Sequence, residues 1–433
     1  MIPARCWTVR QAWLVLFLAS SMVACDGGPD DYERGGLPVS ASDSAVFLPA
    51  MGIRVEVESL DPLRPVRAEG RSHLFYELRL TSFDPRIFRV DSVDIVGAGT
   101  GALLLRLSGP ALEQAAEAVG SEDPLLLEAG RASFLFLGFP LGEGDSRPAE
   151  VQHRLWLSHR DSSGEHVDEL TTVAEPVRNR STLELDPPLR GSFWYAHAGP
   201  AVWSHHRRTL VPRSGRLTLD SRFATDWIRL ETSEQDGGVT LAGPSWDRTW
   251  QAPVFSASDG TVVTAFDTLP DDPIGQLGAA GVEINWETIG GNRVVVDAGD
   301  GRFVWYEHLM QGSVEVAEGD RVRRGQLIGS IGNSGYSSRP HLHFEVTDSP
   351  VLGHGEGLPY HLRCFELAHR VEPAPDWDAI AESLPSEIGL QLRLPIERGE
   401  LRRNEIPLGG AVAAFPPGCV TQSGLFDSDT ADS

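Results

Sequence analysis

Apolar and polar residues alternate along several runs in the first part of the chain. The alternating runs cover residues 54–58, 73–82, 102–109, 132–141 and 151–160. Because successive side chains of a strand point to opposite faces of a sheet, each run predicts a strand with one buried face. Turn-forming residues separate the runs, and the pattern at 110–119 indicates a short helix. Together they predict an all-β, immunoglobulin-like β-sandwich over residues 48–177.

Short valine-rich runs with Gly-Asp or Asp-Gly turns between them characterise the second part of the chain. They include residues 251–267 and 292–309, and they predict a second β domain over residues 193–350. A loop rich in proline and glycine at 268–282 is long for a hairpin, and it is a candidate for the rim of a cleft. Residues 351–433 are interpreted as a C-terminal extension.

The first residues have the pattern of an export signal. Two arginines precede an apolar run over residues 12–23, which is too short to span a bilayer with margin. The run ends in Met-Val-Ala-Cys, which resembles a bacterial lipobox, so Cys25 is the predicted lipidation site. A signal peptide over 1–25 and a polar linker over 26–47 place the protein in the cell envelope, outside the cytoplasm and anchored to a membrane by lipid. A plain secretory signal is the alternative.

The charge of the chain limits its partners. Its 433 residues carry a formal net charge of −24, and the pI is near 4.9. A nucleic-acid-binding protein needs a basic face, so no nucleic-acid partner is expected. The same negative charge disfavours electrostatic adhesion to an anionic membrane surface.

The cysteine count agrees with export. Cys6 leaves with the signal and Cys25 carries the lipid, which leaves Cys364 and Cys419. An even pair of cysteines in an oxidising compartment predicts a disulfide that ties the C-terminal tail together.

The strongest chemical signal is a pair of histidines two residues apart. His341 and His343 lie in the run Pro-His-Leu-His-Phe-Glu-Val, which follows a loop rich in turn formers. If this run is a strand, the two imidazoles share one face of the sheet and can address one metal ion.

Other histidines lack such spacing. We expect the scattered histidines of the first domain to be solvated; they are His153, His159 and His166. We expect the remaining isolated ones to be structural or solvated; they are His197, His354, His361 and His369.

Five successive sequence blocks resemble the LytM or lysostaphin-type zinc peptidases of family M23. They begin with Tyr-Glu-His-Leu at 306–309, continue through the run at 312–322, Arg-Gly-Gln-Leu-Ile-Gly and Gly-Asn-Ser-Gly, and end with Pro-His-Leu-His-Phe-Glu at 340–345. Blocks at 206–208, 222–227 and 357–360 resemble one sub-type of the family. The resemblance implies an antiparallel β-sheet peptidase domain, a zinc ion and peptidoglycan as substrate.

The resemblance also implies roles for individual residues. His343 and Asp226 correspond to zinc ligands, and His308 and His341 to non-ligating catalytic residues beside the reacting water. Three ligands from His, Asp or Glu with an open fourth position are typical of hydrolytic zinc sites. No His-Glu-x-x-His motif occurs, so imidazoles have to move the protons.

One position departs from the family pattern. Where the family has its first-motif histidine, this chain has Arg222, and a guanidinium has no lone pair for zinc. Either the site is broken or another residue supplies the ligand. We interpreted His205 and His206 as strand residues that a turn at 212–215 folds back towards Asp226, with only one of them facing the metal. His206 is the preferred candidate, because the His-Arg-Arg of the sub-type begins there, and His205 is the alternative.

These observations predict a zinc-dependent endopeptidase that cuts peptide stems or cross-links of peptidoglycan. A ligand-depleted module that binds or activates a cell-wall amidase is the main alternative, since some LytM-like domains act in that way. A zinc peptidase that cleaves secreted proteins is a third possibility.

Overall fold

The computed structural model describes residues 52–119, 122–142, 147–179, 181–235, 238–371 and 399–419. The predicted signal peptide with Cys25 and the predicted linker at 26–47 lie outside the described residues. Residues from Ile53 onward belong to one compact unit. In the described parts of the chain, no helix is long and apolar enough to cross a membrane. The domain boundaries drawn from the sequence stay predictions.

The first part of the chain builds two facing sheets. Its elements are β1 (Val55–Ser59), β2 (Pro65–Ala68), β3 (Arg71–Ser82), β4 (Phe88–Gly97), β5 (Leu103–Ser108), α1 (Pro110–Ala115), β6 (Ala116–Ala118), β7 (Leu126–Leu127), β8 (Ala132–Pro140), β9 (Glu150–Asp161), β10 (Gly164–Thr171) and β11 (Glu175–Pro176). One sheet has the order β1-β3-β8-β6 with β2 on β3; the other has the order β10-β9-β4-β5, with β11 on β9 and β7 on β4. We call this pair of sheets the N-terminal sandwich.

Alternate side chains of β3 pack into two different cores. Leu74, Tyr76 and Leu78 are buried in the core between its two sheets. Phe75 and Glu77 point to the opposite face, because neighbouring residues of a strand alternate. Phe75 belongs to the core of the second part of the chain, so this face of the sandwich is covered as well.

The second part of the chain contributes a large sheet and small hairpins. Its elements are β12 (Leu183–Leu185), β13 (Gly191–His197), α2 (His205–Arg208), β14 (Val211–Arg213), β15 (Arg216–Thr218), β16 (Thr225–Gln235), β17 (Gly238–Pro244), α3 (Trp246–Thr249), β18 (Pro253–Phe255), β19 (Gly260–Phe266), β20 (Asn292–Asp297), β21 (Phe303–Leu309), β22 (Arg321–Val322), β23 (Leu327–Ser330), β24 (Leu342–Thr347), β25 (Tyr360–Arg370), β26 (Glu400–Glu405), β27 (Ala411–Phe415) and a 3₁₀ turn (Pro417–Cys419).

The large sheet combines C-terminal strands with strands from the middle of the chain. Its order is β12-β25-β27-β13-β16-β24-β21-β20-β19-β22, with β17 on β16 and β26 on β25. Only the β12–β25 pair is parallel among the pairs of described strands. The strands after residue 359 therefore share a sheet with β16 and β24. The Cys364–Cys419 disulfide joins β25 to the final turn, as the cysteine count predicted.

The prediction of an all-β fold is confirmed. The two sheets of the N-terminal sandwich share one apolar core, but their assignment to the immunoglobulin class stays a prediction.

The interpretation of His205 and His206 as strand residues was wrong. They open the short helix α2, and the predicted turn joins β14 to β15 instead. In a helix, neighbouring residues are rotated by about 100° rather than 180°, so both imidazoles can approach one point.

The expectation of solvated histidines was wrong for two of the three in the sandwich. His153 is fully buried, and its Nε2 lies 2.9 Å from the hydroxyl of Tyr76 across the core. His159 packs edge-on against Phe88 and lies 3.3 Å from a carboxylate oxygen of Asp168. Charge spacing in the sequence could not reveal partners that lie on other strands.

Candidate metal centre

Four polar residues form one row across the large sheet. In the strand register His197 of β13 faces Asp226 of β16, Asp226 faces His343 of β24, and His343 faces Glu307 of β21. Residues directly opposite each other on paired strands share a face, so the row brings a carboxylate and an imidazole into contact at its centre. Each of the four is buried.

Asp226 is the hub of this row. Its Oδ1 lies 2.9 Å from Nδ1 of His343 and 3.6 Å from Nε2 of His341. Its Oδ2 lies 3.3 Å from Nε2 of His206. The carboxylate therefore contacts the three imidazoles whose importance the sequence predicted.

His206 faces Asp226 with its Nε2. Its Nδ1–H donates to the carbonyl of Ala198 at 3.0 Å, which fixes the tautomer and leaves the lone pair on Nε2. Burial lowers the pKa of His206, and Asp226 offsets only part of this effect. A metal cation placed between Nε2 and the carboxylate oxygen could bind both atoms.

His205 stands beside this pair. Donor atoms of His205, His206 and Asp226 all lie within 4.8 Å of one another. His205 is exposed, whereas the ring of His206 is buried and meets the His343 ring edge-on at 4.7 Å between centroids. The packing thus favours His206 as the third ligand.

His308 reaches the centre through an irregular backbone. A regular strand would turn His308 towards the apolar core with Tyr306, two residues earlier. Its left-handed φ of 58° turns it instead to the same side as His343, and the His308 and His341 rings lie 4.7 Å apart. A non-glycine residue in this region stores strain, which is typical of functional positions.

Hydrogen bonds to backbone carbonyls orient the two remaining imidazoles. His308 Nδ1–H donates to Ser334 O at 2.8 Å, and His341 Nδ1–H donates to Arg339 O at 2.8 Å. In both rings Nε2 is left for the centre. Gly291 is required here, because a Cβ on it would lie 2.4 Å from Ser334 O.

Arg222 is absent from the centre. It is buried, its Nε donates to Glu77 Oε2 at 2.7 Å, and its NH2 lies 3.0 Å from Glu356. The residue at the family's ligand position here joins the large sheet to the N-terminal sandwich.

The charges of the centre reinforce one another. Burial opposes ionisation of Asp226, but charge interactions with His206 and His341 outweigh it and hold the pKa of Asp226 well below its usual value. Burial likewise opposes protonation of His343, but its hydrogen bonds to Asp226 and Glu345 hold its pKa well above the usual value. The anionic centre thus attracts a positive charge, which a proton on His343 supplies in the metal-free chain.

The pKa of His308 is shifted in the opposite direction to that of His343. Burial, together with the neighbouring His341 and His343, holds its pKa well below the usual value. His308 is therefore neutral at pH 7, and its Nε2 is able to accept a proton.

Two buried carboxylates support His343 from behind. Nε2 of His343 lies 3.5 Å from Oε2 of Glu345, which is two residues further along the same strand face. Burial raises the pKa of Glu345 to about 7 and also raises the pKa of Glu307. Sequence reasoning missed Glu307, Glu345 and His197. Glu345 could have been found from its spacing of two residues from His343 on one strand, whereas Glu307 and His197 are placed by register with His343 and Asp226, which depends on strand pairing.

The donor set fits a zinc ion. His206, Asp226 and His343 supply nitrogen and carboxylate donors, with His206 Nε2 at 3.3 Å and His343 Nδ1 at 2.9 Å from the carboxylate of Asp226. All five predicted site residues of the described chain, including His308 and His341, lie in one cluster.

Comparisons with known proteins find similarity over part of this region. Residues 237–352 match the model of peptidase family M23; the match includes His308, His341 and His343, whereas His206 and Asp226 lie upstream of it. Glycyl-glycine endopeptidase ALE-1 of Staphylococcus capitis is 47% identical over 66 residues, 15% of this chain and 18% of that protein. Peptidoglycan DD-endopeptidase ShyA of Vibrio cholerae is 39% identical over 71 residues, 16% of either chain.

A solved catalytic domain of lysostaphin from Staphylococcus simulans shares 25% identity over 30% of this chain and 88% of that domain, with a TM-score of 0.19. The matches span less than a fifth of the length of the two endopeptidases above. Residues 237–352 thus form a region that matches peptidase family M23 and is similar in sequence to glycyl-glycine endopeptidase ALE-1.

Proposed function

We propose that the protein is a zinc endopeptidase that hydrolyses peptide bonds in the stems or cross-links of peptidoglycan, outside the cytoplasm. The observation that carries the proposal is the convergence of His206, Asp226 and His343, with His308 and His341 beside them. The activities in the names of two relatives, a glycyl-glycine endopeptidase and a peptidoglycan DD-endopeptidase, support the substrate class.

In the proposed mechanism His206 Nε2, Asp226 and His343 Nδ1 hold the metal. Bound zinc supplies Lewis acidity to the scissile carbonyl and lowers the pKa of water towards about 7. The carboxylate of Glu345 lies 3.5 Å from His343 Nε2, and its charge favours the orientation in which that nitrogen carries a proton.

The two non-ligating imidazoles move the protons. His308 is neutral and directs Nε2 into the centre, so it is suited to remove a proton from the attacking water. His341 directs its own Nε2 towards the same space. Once protonated, either ring can donate a hydrogen bond to the developing oxyanion.

Loops close the rim of the centre. Gly275 N–H donates to Ser338 O at 2.8 Å, and Tyr336 N–H donates to Ile289 O at 2.9 Å. The first of these bonds attaches the long loop predicted at 268–282 to the turn that precedes His341, and the second attaches Ile289, beyond that loop, to the same turn. Trp286 and Tyr336 are exposed on these loops and offer aromatic surface to a peptide.

Release of soluble peptides from purified peptidoglycan by the full chain tests the proposal. We expect His343→Ala to abolish release, because it removes a ligand, and the exposed His354→Ala to leave release unchanged. Near-full activity in His343→Ala would overturn the proposed role of the centre.

The alternative of an amidase-activating module rested on Arg222. His206 lies where a substitute ligand is needed, so nothing in the described residues favours loss of the metal. Zinc below about a tenth of an ion per chain, together with stimulation of a partner amidase, would support the alternative.

Anchoring through lipid on Cys25 remains part of the proposal, because the lipobox-like sequence supports it. We expect Cys25→Ser to move the protein from the membrane fraction to the soluble fraction. Unchanged membrane association would count against a lipid anchor.

A further inference from the structure

Helix α2 contacts different partners on its two sides. His206 faces Asp226. Arg207 and Arg208 face the N-terminal sandwich, where the guanidinium of Arg207 lies over the Phe75 ring and that of Arg208 over the Phe136 ring. A helix of four residues has little stability of its own, so these contacts determine where His206 stands.

Arg207 is held by strands of the sandwich. It is completely buried and donates to Oε1 of Glu77, with NH2 at 2.5 Å and Nε at 3.2 Å. NH2 also donates to the carbonyls of Tyr76 and Leu137, at 3.2 and 3.1 Å. The residue next to the third candidate ligand is therefore attached to β3 and β8.

The other oxygen of the same carboxylate holds Arg222. Its Nε donates to Glu77 Oε2 at 2.7 Å, and four residues later the chain reaches Asp226. One buried carboxylate of the sandwich thus connects both ligand-bearing segments, the one with His206 and the one with Asp226.

Loss of this carboxylate would remove the counter-charge of Arg207 and the shortest ion pair of Arg222, which would keep only Glu356 at 3.0 Å and Asp61 at 3.9 Å. Buried charges that lose a partner are strongly unfavourable, so Arg207 would have to shift towards solvent or other acceptors, and Arg222 towards its two remaining carboxylates. Ligands must be held to within about 0.5 Å for a functional centre. A shift of either arginine would therefore reach the ligands through the backbone.

We propose that Glu77 of the N-terminal sandwich is a positioning residue for the metal centre, and that the sandwich thereby sets the affinity of the peptidase domain for zinc. The inference rests on the proposed function. The N-terminal sandwich would thus act on the metal centre indirectly. None of its residues would need to touch the metal or the substrate.

The test compares the zinc affinity of full-length Glu77→Gln with that of a matched control. Asp186 is also a fully buried carboxylate between two arginines, Arg324 and Arg363, neither of which adjoins a candidate ligand along the chain. Asp186→Asn therefore reports what the loss of such a group does in general. Zinc dissociation constants come from competition with a chromophoric chelator, and thermal unfolding is recorded for the apo-proteins.

We expect Glu77→Gln to weaken zinc binding by about tenfold or more, in the range found for groups that orient metal ligands, and Asp186→Asn to change it by less than about twofold. Glu77→Asp keeps the charge but is too short to reach both guanidiniums fully, and it should lie between Glu77→Gln and the unsubstituted chain. Equal zinc affinity in Glu77→Gln and Asp186→Asn overturns the inference. An unsubstituted chain that binds no zinc overturns the proposed function itself.

A second measurement needs no variant. Coupling between two sites is reciprocal, so zinc should slow amide hydrogen exchange in β3 around Glu77 as well as in α2. Protection confined to the large sheet and its loops, with none in β3, overturns the inference even if the Glu77 variants fail to fold.

Discussion

At the scale of the residue, one nitrogen of each imidazole decides its role. His206 and His308 both donate through Nδ1 to a backbone carbonyl, but only the Nε2 of His206 meets a carboxylate oxygen. The first is suited to hold a metal and the second to carry a proton. The sequence predicted both roles only through the family resemblance, since neither tautomer nor hydrogen-bond partner can be read from a motif.

His308→Ala is expected to retain zinc and lose hydrolysis. The substitution removes a proton acceptor but none of the proposed ligands, and general-base catalysis contributes about 10²- to 10⁴-fold. Measured zinc content and the rate of peptide release check the two parts separately. Loss of zinc in this variant would show that His308 is a ligand instead.

The burial of His153 should make the free energy of unfolding depend on pH, independently of the metal centre. Burial lowers the pKa of His153 to about 4, whereas an unfolded histidine titrates near about 6.5. The unfolded chain therefore binds the proton more readily, so this contribution to stability is complete above pH ~6.5 and is lost as the pH falls towards ~4.

The free energy of unfolding should thus fall by about 2 kcal/mol between pH 7 and pH 5 through His153 alone. His153→Gln, which cannot titrate, should remove this part of the pH dependence, while His166→Gln at a half-buried site of the same sheet should retain it. Denaturant unfolding at both pH values measures the difference. An identical pH dependence in His153→Gln and the unsubstituted chain would contradict the assignment.

At the scale of the element, strand register assembles the centre. β13, β16, β24 and β21 are neighbours in the sheet, although β21 lies about 80 residues beyond β16 along the chain. The sequence predicted that these segments are strands, because alternation is a local property. It could not predict that His197 lies opposite Asp226, or that His205–Arg208 is helical, because tertiary contacts fix both.

The disulfide should affect the stability of the fold without affecting the metal centre. Cys364 and Cys419 are 55 residues apart in sequence and join β25 to the final turn, at the edge of the sheet remote from β24. Cys364→Ser with Cys419→Ser should lower the free energy of unfolding by about 2–4 kcal/mol, because a long loop is released in the unfolded chain. Zinc content should be unchanged. Loss of zinc together with the disulfide would show that these strands position the centre.

At the scale of the whole molecule, the N-terminal sandwich and the large sheet share buried surface. Phe134 and Phe136 of β8 pack with Leu219, which precedes β16, and Glu77 joins both parts through Arg207 and Arg222. Arg222 shows why the contact between the sandwich and the large sheet could not be predicted from the sequence. Its change from the family pattern was visible in the sequence, but its partner lies 145 residues away on another sheet.

The two parts should therefore unfold together. Calorimetry of the apo-protein is expected to show one transition for the sandwich and the sheet. Phe136→Ala, at the contact between them, should lower the stability by about 3–5 kcal/mol and move that transition as a whole. Two well-separated transitions in the unsubstituted chain would contradict the shared interface.

The most direct test of the central claim is the zinc content of the purified full-length chain and two neighbouring variants, determined by atomic emission. We expect about one zinc per chain in the unsubstituted protein and in His205→Ala, and less than about a tenth in His206→Ala. Retention of about one zinc per chain in His206→Ala would contradict the centre formed by His206, Asp226 and His343.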